Sequence, residues 1–441
     1  MPRGRSFPTV PQVATICWET ANLDVFHRLE PACRRNLLVL FTSGLLFWAS
    51  LAALLPTLSL YIKHVGATNQ QVGLVMGAFA IGLVVFRPFL GRMADQRGRK
   101  LVLLIGLFAV ALAPIGYLFT RSILVLGLIR VFHGLSIAAF TTAYSALVVD
   151  VSPEHQRGEV IGYMSLVNPV GVALGPALGG FMLEWAGYTP LFLLSAGVGV
   201  AGLLLGTQVH AEPIVQENQK MFSPQGKTFW RLLLSPRLKV PAIVMLLVGL
   251  AFGTLSTFIP LFISELDIKF NAGLFYTAAA VASFGVRLLA GRASDRYGRG
   301  QFMTIGLIFY TIAMLLVWQA QNEITFLLAG LIEGAGSGIF LPTMIALMAD
   351  RSQAQERGRI FGLCMTGFDL GIAIAGPALG SLADSLGYRA LFGVAGALTA
   401  LALVIFVSLI NQSFIHSLNF ALGREKDRYA IPLAYPLHKP E

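Results

Sequence analysis

The sequence predicts an all-α membrane protein of twelve transmembrane helices arranged as two pseudo-symmetric six-helix bundles. Composition is the first observation behind this. The 441 residues are 56% hydrophobic and only 12% charged, whereas soluble domains carry about a quarter charged residues. The second is an internal repeat at an offset of about 200 residues. Arg87, Gly91, Arg92, Asp95, Gly98 and Arg99 return as Arg287, Gly291, Arg292, Asp295, Gly298 and Arg299. Arg157-Gly158 with Gly162 returns as Arg357-Gly358 with Gly362, and Gly187-Tyr188 as Gly387-Tyr388. Two similar hydrophobic halves suggest bundles facing each other across a shared cavity, as in many carriers.

The spans follow in order. A bilayer crossing needs roughly 20 apolar residues. Six runs fall in each half: 36–63, 71–90, 101–119, 123–149, 158–183 and 189–209, then 238–264, 272–290, 301–319, 324–349, 358–383 and 388–411. The first and seventh runs share a pattern, Trp48 with Pro56 and Phe252 with Pro260, so both are expected to bend near one end. These runs make an N-terminal bundle over 36–209 and a C-terminal bundle over 238–411. Residues 1–35 read as a cytoplasmic extension without the apolar core of a secretory signal. Residues 210–237, with Pro213, Pro224 and Pro236, read as a cytoplasmic linker, and 412–441 as a cytoplasmic tail.

Charge distribution supplies the third observation. The formal net charge of +10 suggests nucleic acid only until the cations are placed. With the first span running outward, 25 of the 32 Lys and Arg residues fall on the inward side. Four fall in outward loops (Lys63, Arg121, Lys269 and Arg389), and Arg87, Arg130 and Arg287 lie in or beside spans. That bias places both termini in the cytoplasm of a multi-pass plasma or inner membrane protein. It makes basicity a topology signal rather than a nucleic-acid footprint. Cys17, Cys33 and Cys364 show no metal-ligand spacing and no disulfide framework, so no metal and no cofactor are expected.

The segment Gly91-Arg-Met-Ala-Asp95-Gln-Arg-Gly98-Arg99-Lys100 resembles the signature loop of the major facilitator superfamily, and 291–300 resembles its degenerate second copy. The resemblance implies a cytoplasmic ion-pair lock. Asp95 would engage Arg357 and Arg359, Arg99 would pair with Asp150, and Asp295, Asp350 and Arg157 would form the symmetric set. The same charges also serve topology. In the fourth run Arg130, His133 and Gly134 are similar to the family's Arg-x-x-Gln-Gly signature with His in place of Gln, a position associated there with proton coupling. An Arg inside a span normally faces a cavity or partner, and an unperturbed imidazole at His133 would titrate in a range suited to proton exchange. In the fifth run Gly171, Gly175, Pro176, Gly179 and Gly180 match the family's antiporter signature, which implies proton-driven efflux. Small residues at this spacing also let helices approach closely.

Aligning the halves sets Asp369 against Asn168 and Glu333 against His133, so the second half has made two matched polar positions acidic. At 1.5 Å per residue, Asp369 lies roughly 2 Å and Glu333 roughly 5 Å from the middle of its span. A charged carboxylate at such depth costs at least about 2.5 kcal/mol against lipid. These are the expected proton-coupling groups, or partners for a cationic substrate, with Arg130 tuning them. Trp48, Tyr144 and Phe252 are candidate pocket aromatics. The partners implied are protons, a small organic substrate and the bilayer, with no nucleic acid and a functional monomer. An ATP-driven pump is disfavoured because Gly226-Lys227-Thr228 has Met221 where a phosphate loop needs Gly. No enzyme constellation is present, so the expected function is proton-coupled efflux by alternating access. Proton-coupled uptake of a sugar or organic acid is the alternative, and a non-transporting receptor on the same fold the minor one.

Overall fold

A computed structural model describes residues 29–153, 156–210, 235–352 and 357–431. Most of the N-terminal extension, the linker over 211–234 and the last ten residues therefore lie outside the described residues. Every regular element described is helical. The first half comprises α1 (Pro31–Ala53), α2 (Leu58–His64), α3 (Asn69–Arg97), α4 (Arg99–Leu118), α5 (Ile123–Val151), α6 (Arg157–Met164), α7 (Val167–Ala186) and α8 (Tyr188–Thr207). The second comprises α9 (Lys239–Glu265), α10 (Ala272–Tyr297), α11 (Arg299–Gln319), α12 (Glu323–Asp350), α13 (Arg357–Leu409) and the short α14 (Phe414–Ala421).

Local sequence explains the helix ends. Pro31 opens α1 where its missing N–H has no partner to lose. Thr68 and Gln71 form a reciprocal capping box on α3, and Asn271, Asn322 and Ser413 cap α10, α12 and α14. Four successive helix pairs are joined through one glycine each at positive φ: Gly98 (112°), Gly187 (84°), Gly298 (104°) and Gly387 (78°). A side chain at any of them would strain the joint. The expected bends differ between halves. The first span is interrupted at residues 54–57, around Pro56, whereas α9 continues through Pro260 to Glu265.

Among the described residues, ten helices are long and apolar enough to cross a membrane. One of them, within α13, breaks at Gly387 into two limbs, and Ala272–Leu288 is a shorter apolar helix. Residues 31 and 409–431 lie on one face, here the terminal face, and the α2–α3 turn on the opposite face.

The core is divided accordingly. One apolar cluster near the opposite face draws on both halves, uniting Leu58, Val75 and Phe192 with Phe258, Phe262 and Phe392. Towards the terminal face each half keeps its own cluster, around Phe47 and Phe140 in one and Tyr310 and Phe340 in the other. The seam between halves consists of two symmetric helix crossings. Gly73 of α3 meets the Gly376 backbone of α13, and Gly77 approaches the Ala373 carbonyl. Gly273 of α10 meets the Pro176 backbone of α7, and Thr277 Oγ1 donates to the Ala173 carbonyl at 2.8 Å. Further along, Gly91, Gly162, Gly285 and Gly362 border open space. The halves are thus sealed at the opposite face and parted at the terminal face.

Glycine is required inside each half as well. A Cβ on Gly179 would collide with the backbone of Ala53 in α1. Gly179→Val is expected to destabilise the bundle by about 1–3 kcal/mol, read as reduced yield and a lower melting temperature in detergent. An unchanged melting temperature would show that α1 and α7 have room the structure denies them.

Candidate functional site

Where the halves part, one ion pair still joins them. Arg87 Nη1 of α3 lies 3.0 Å from Asp369 Oδ2 in the first limb of α13. The Asp369 side chain is 5% exposed and that of Arg87 34%, so the carboxylate is sunk in the wall while the guanidinium borders the cavity. Phe368, next to Asp369 in sequence, meets the ring of Phe252, with centroids 5.6 Å apart. A buried charge needs such a counter-charge to remain ionised. Arg87 was missed by the motif reading. Its signal was available, an Arg within an apolar run like Arg130.

Glu333 occupies a different setting. Gly330, Gly334 and Gly338 of α12 press on α10, and Gly336 presses on α11. Helical periodicity therefore sends Glu333 into the wedge between α10, α11 and α12, inside its own half. It is buried, its Oε1 has no hydrogen-bond partner, and the phenols of Tyr276 and Tyr310 lie within its electrostatic reach.

The equivalent wedge of the first half holds a cation. Arg130 stacks over Phe79 at 4.3 Å, and its Nη1 is 3.4 Å from His133 Nδ1. The Tyr117 hydroxyl is 3.2 Å from the same nitrogen. With two donors converging on Nδ1, the imidazole takes the acceptor role there and carries its hydrogen on Nε2, which has no partner. Among the described residues no carboxylate pairs with Arg130.

The antiporter-like run splits its duties. Gly171, Gly175 and Gly179 face α1, against Trp48, Ala49 and Ala53, whereas Pro176 and Gly180 face Gly273 and Asn271 across the seam. Asn168 is half-buried at the start of α7. Trp48 and Phe252 are half-buried, but Tyr144 is enclosed, stacked on Phe140 and donating to the Met164 carbonyl at 3.0 Å. Arg99 pairs with Asp150, and Arg299 with Asp350 at 2.9 Å. Asp95 is exposed, while the side chains of Asp295, Arg357 and Arg359 lie outside the described residues. At the opposite face Asp384 accepts from the Asn69 and Gln70 amides, both at 3.1 Å, so a carboxylate of one half caps α3 of the other. Tyr388 donates to Asn69 Oδ1 at 2.6 Å.

Two repeated helical bundles, sealed together at one face and joined by the Arg87–Asp369 ion pair at the top of a cleft, have the architecture of a secondary carrier. The chain belongs to the Major Facilitator Superfamily, whose sequence profile matches residues 40–293 and 272–438. It is a membrane transporter, not an enzyme. It is 27% identical over 373 residues to the multidrug resistance protein MdtG of Salmonella typhi, across 82% of this chain and 92% of that protein. The MdtG of Salmonella newport (strain SL254) gives the same identity and coverage. Among solved structures it resembles the nucleoside transporter NupG (TM-score 0.73, 13% identity, 84% of this chain and 98% of that one). A D-xylose–proton symporter aligns with a TM-score of 0.68 at 16% identity, over 86% of this chain and 98% of that one.

Proposed function

We propose that this transporter exports small organic molecules in exchange for protons, crossing the membrane twelve times with both termini in the cytoplasm. The Arg87–Asp369 pair carries the proposal, because it is a charged link between the two halves at the top of the cleft. The relatives named as multidrug resistance proteins support the direction of transport and the class of cargo. On this reading the terminal face is cytoplasmic and the cleft admits cargo from inside the cell. Substrate entering beside Phe252 and Phe368 competes with Arg87 for Asp369, or takes the site when Asp369 is neutralised by a proton. Glu333, shielded in its wedge, relays or stores the second charge change. Arg130, beside the neutral imidazole of His133, is the cationic counterpart in the first half. Asp95, Arg99, Asp150 and the residues around Arg357 and Arg359 close the cytoplasmic side in the other state. The chain acts as a monomer in the inner or plasma membrane.

Inside-out vesicles with an imposed gradient, acid inside, test this directly. A cationic or neutral amphiphilic drug is expected to dissipate the gradient only when the intact protein is present. A panel of drugs, sugars and organic acids that leaves the gradient untouched, followed by gradient-driven uptake of a sugar in right-side-out vesicles, would replace export with symport.

A further inference from the structure

The tail after α13 is a docked element. Ser413 caps α14, whose inner side packs on α11: Thr304 Oγ1 donates to the Ala421 carbonyl at 3.0 Å, and Ile431 N donates to the Asp350 carbonyl at 2.8 Å. Gly300 makes this possible, since a Cβ there would collide with the Phe420 carbonyl. At the matching place in the first half stands Lys100. The second copy of the loop departs from the first at the residue where the tail sits.

Tail and loop enclose a cleft of about 460 Å³ at the terminal face. Its carboxylates are all engaged: Asp350 by Arg299, Asp427 by Arg351, and Glu425 by His416 and Arg428. Its other cations are not. Arg296, Arg424 and Lys426 line the cleft without an ion pair to any described residue, and Arg296 only rests on the exposed Tyr297 ring at 5.4 Å. Gly298 leaves the first amides of α11 without a side-chain cap at the cleft wall. An uncapped helix start beside three unneutralised cations favours an anion with several acceptor oxygens. Phe414 (61% exposed) and Ile415 (67%) begin α14 shortly after the second limb of α13 ends at Leu409, an exposed apolar pair suited to the membrane surface beside the cleft.

We propose that this cleft is a binding site for a phosphate group, separate from the transport cavity, formed by the tail and the second loop copy. The phosphate comes either from a soluble phosphate compound or from an anionic lipid headgroup. Two arms separate these sources, both on the full-length protein. One titrates pyrophosphate in lipid-free detergent and reads the melting temperature. The other compares nanodiscs of phosphatidylglycerol with nanodiscs of phosphatidylcholine and reads protection of the tail from hydrogen exchange. Saturable stabilisation in either arm is expected. Arg296→Gln with Arg424→Gln and Lys426→Gln should weaken it at least about tenfold. Arg35→Gln with Arg237→Gln and Lys239→Gln, equal in charge and on the same face, should leave it intact. Gly300→Lys should release the tail and abolish binding together. No saturable effect in either arm, or equal losses from the two triple variants, would overturn the site.

Discussion

Asp369→Asn is expected to lower proton-coupled transport by at least about a hundredfold, equivalent to ~2.7 kcal/mol of barrier, while the protein stays folded. The substitution keeps the shape of the side chain and an oxygen for Arg87 but removes the ionisable group. Stripping one charge from a fully buried pair costs about 3–5 kcal/mol because the survivor is stranded. Here the survivor is Arg87, whose side chain is 34% exposed to the cleft and can turn to water. Function should therefore be lost without collapse. The measurement is substrate-induced gradient dissipation in vesicles, with melting temperature as the folding control. Full coupled activity in the folded variant would remove Asp369 from the mechanism.

Asp427→Ala should do the reverse, harming stability first. Arg351 is fully buried and held bidentately by Asp427, through Nε at 2.6 Å and Nη2 at 2.9 Å. Two more of its hydrogens go to the carbonyls of Arg237 (2.8 Å) and Ile410 (3.0 Å), and Tyr429 lies 5.1 Å away. Thus one guanidinium gathers the end of α12, the approach to α9, the end of α13 and the tail. Arg351 is itself fully enclosed, so removing the carboxylate would strand its charge inside the protein. A loss of about 3–5 kcal/mol is expected, read as a fall in melting temperature on the order of ten degrees. Arg351→Met combined with Asp427→Leu should recover much of it, since neither charge is then stranded. An unaltered melting temperature in Asp427→Ala would mean the tail is not clamped.

Much of the architecture was legible because it rests on periodic apolar runs and glycines that admit no substitute. Gly73, Gly179 and Gly273 sit where backbones touch, and the offset of about 200 residues reappears as two matching seam crossings. The partnership of Arg87 was not legible, because its partner lies 282 positions away and only the crossing of α3 and α13 brings them together. The 200-residue offset placed Glu333 and His133 at equivalent positions, but it does not say whether a side chain faces the cleft or a wedge within its half. The packing of Gly330, Gly334 and Gly336 decides that. The region from 412 read only as a cytoplasmic tail, because α14 is only eight residues long. Its fold comes from Arg351 and Asp427, and isolated charges carry no pattern.

The four single-glycine joints constrain where the molecule can be handled. Gly98, Gly187, Gly298 and Gly387 leave no spare chain between the helices they connect, so an epitope or split-reporter junction placed there would prise a hairpin apart. Slack exists around 119–122 and 266–271, between helices that do not share such a joint. A fluorophore pair at 121 and 269 would straddle the two halves on the sealed face, and would report its parting and closing one molecule at a time.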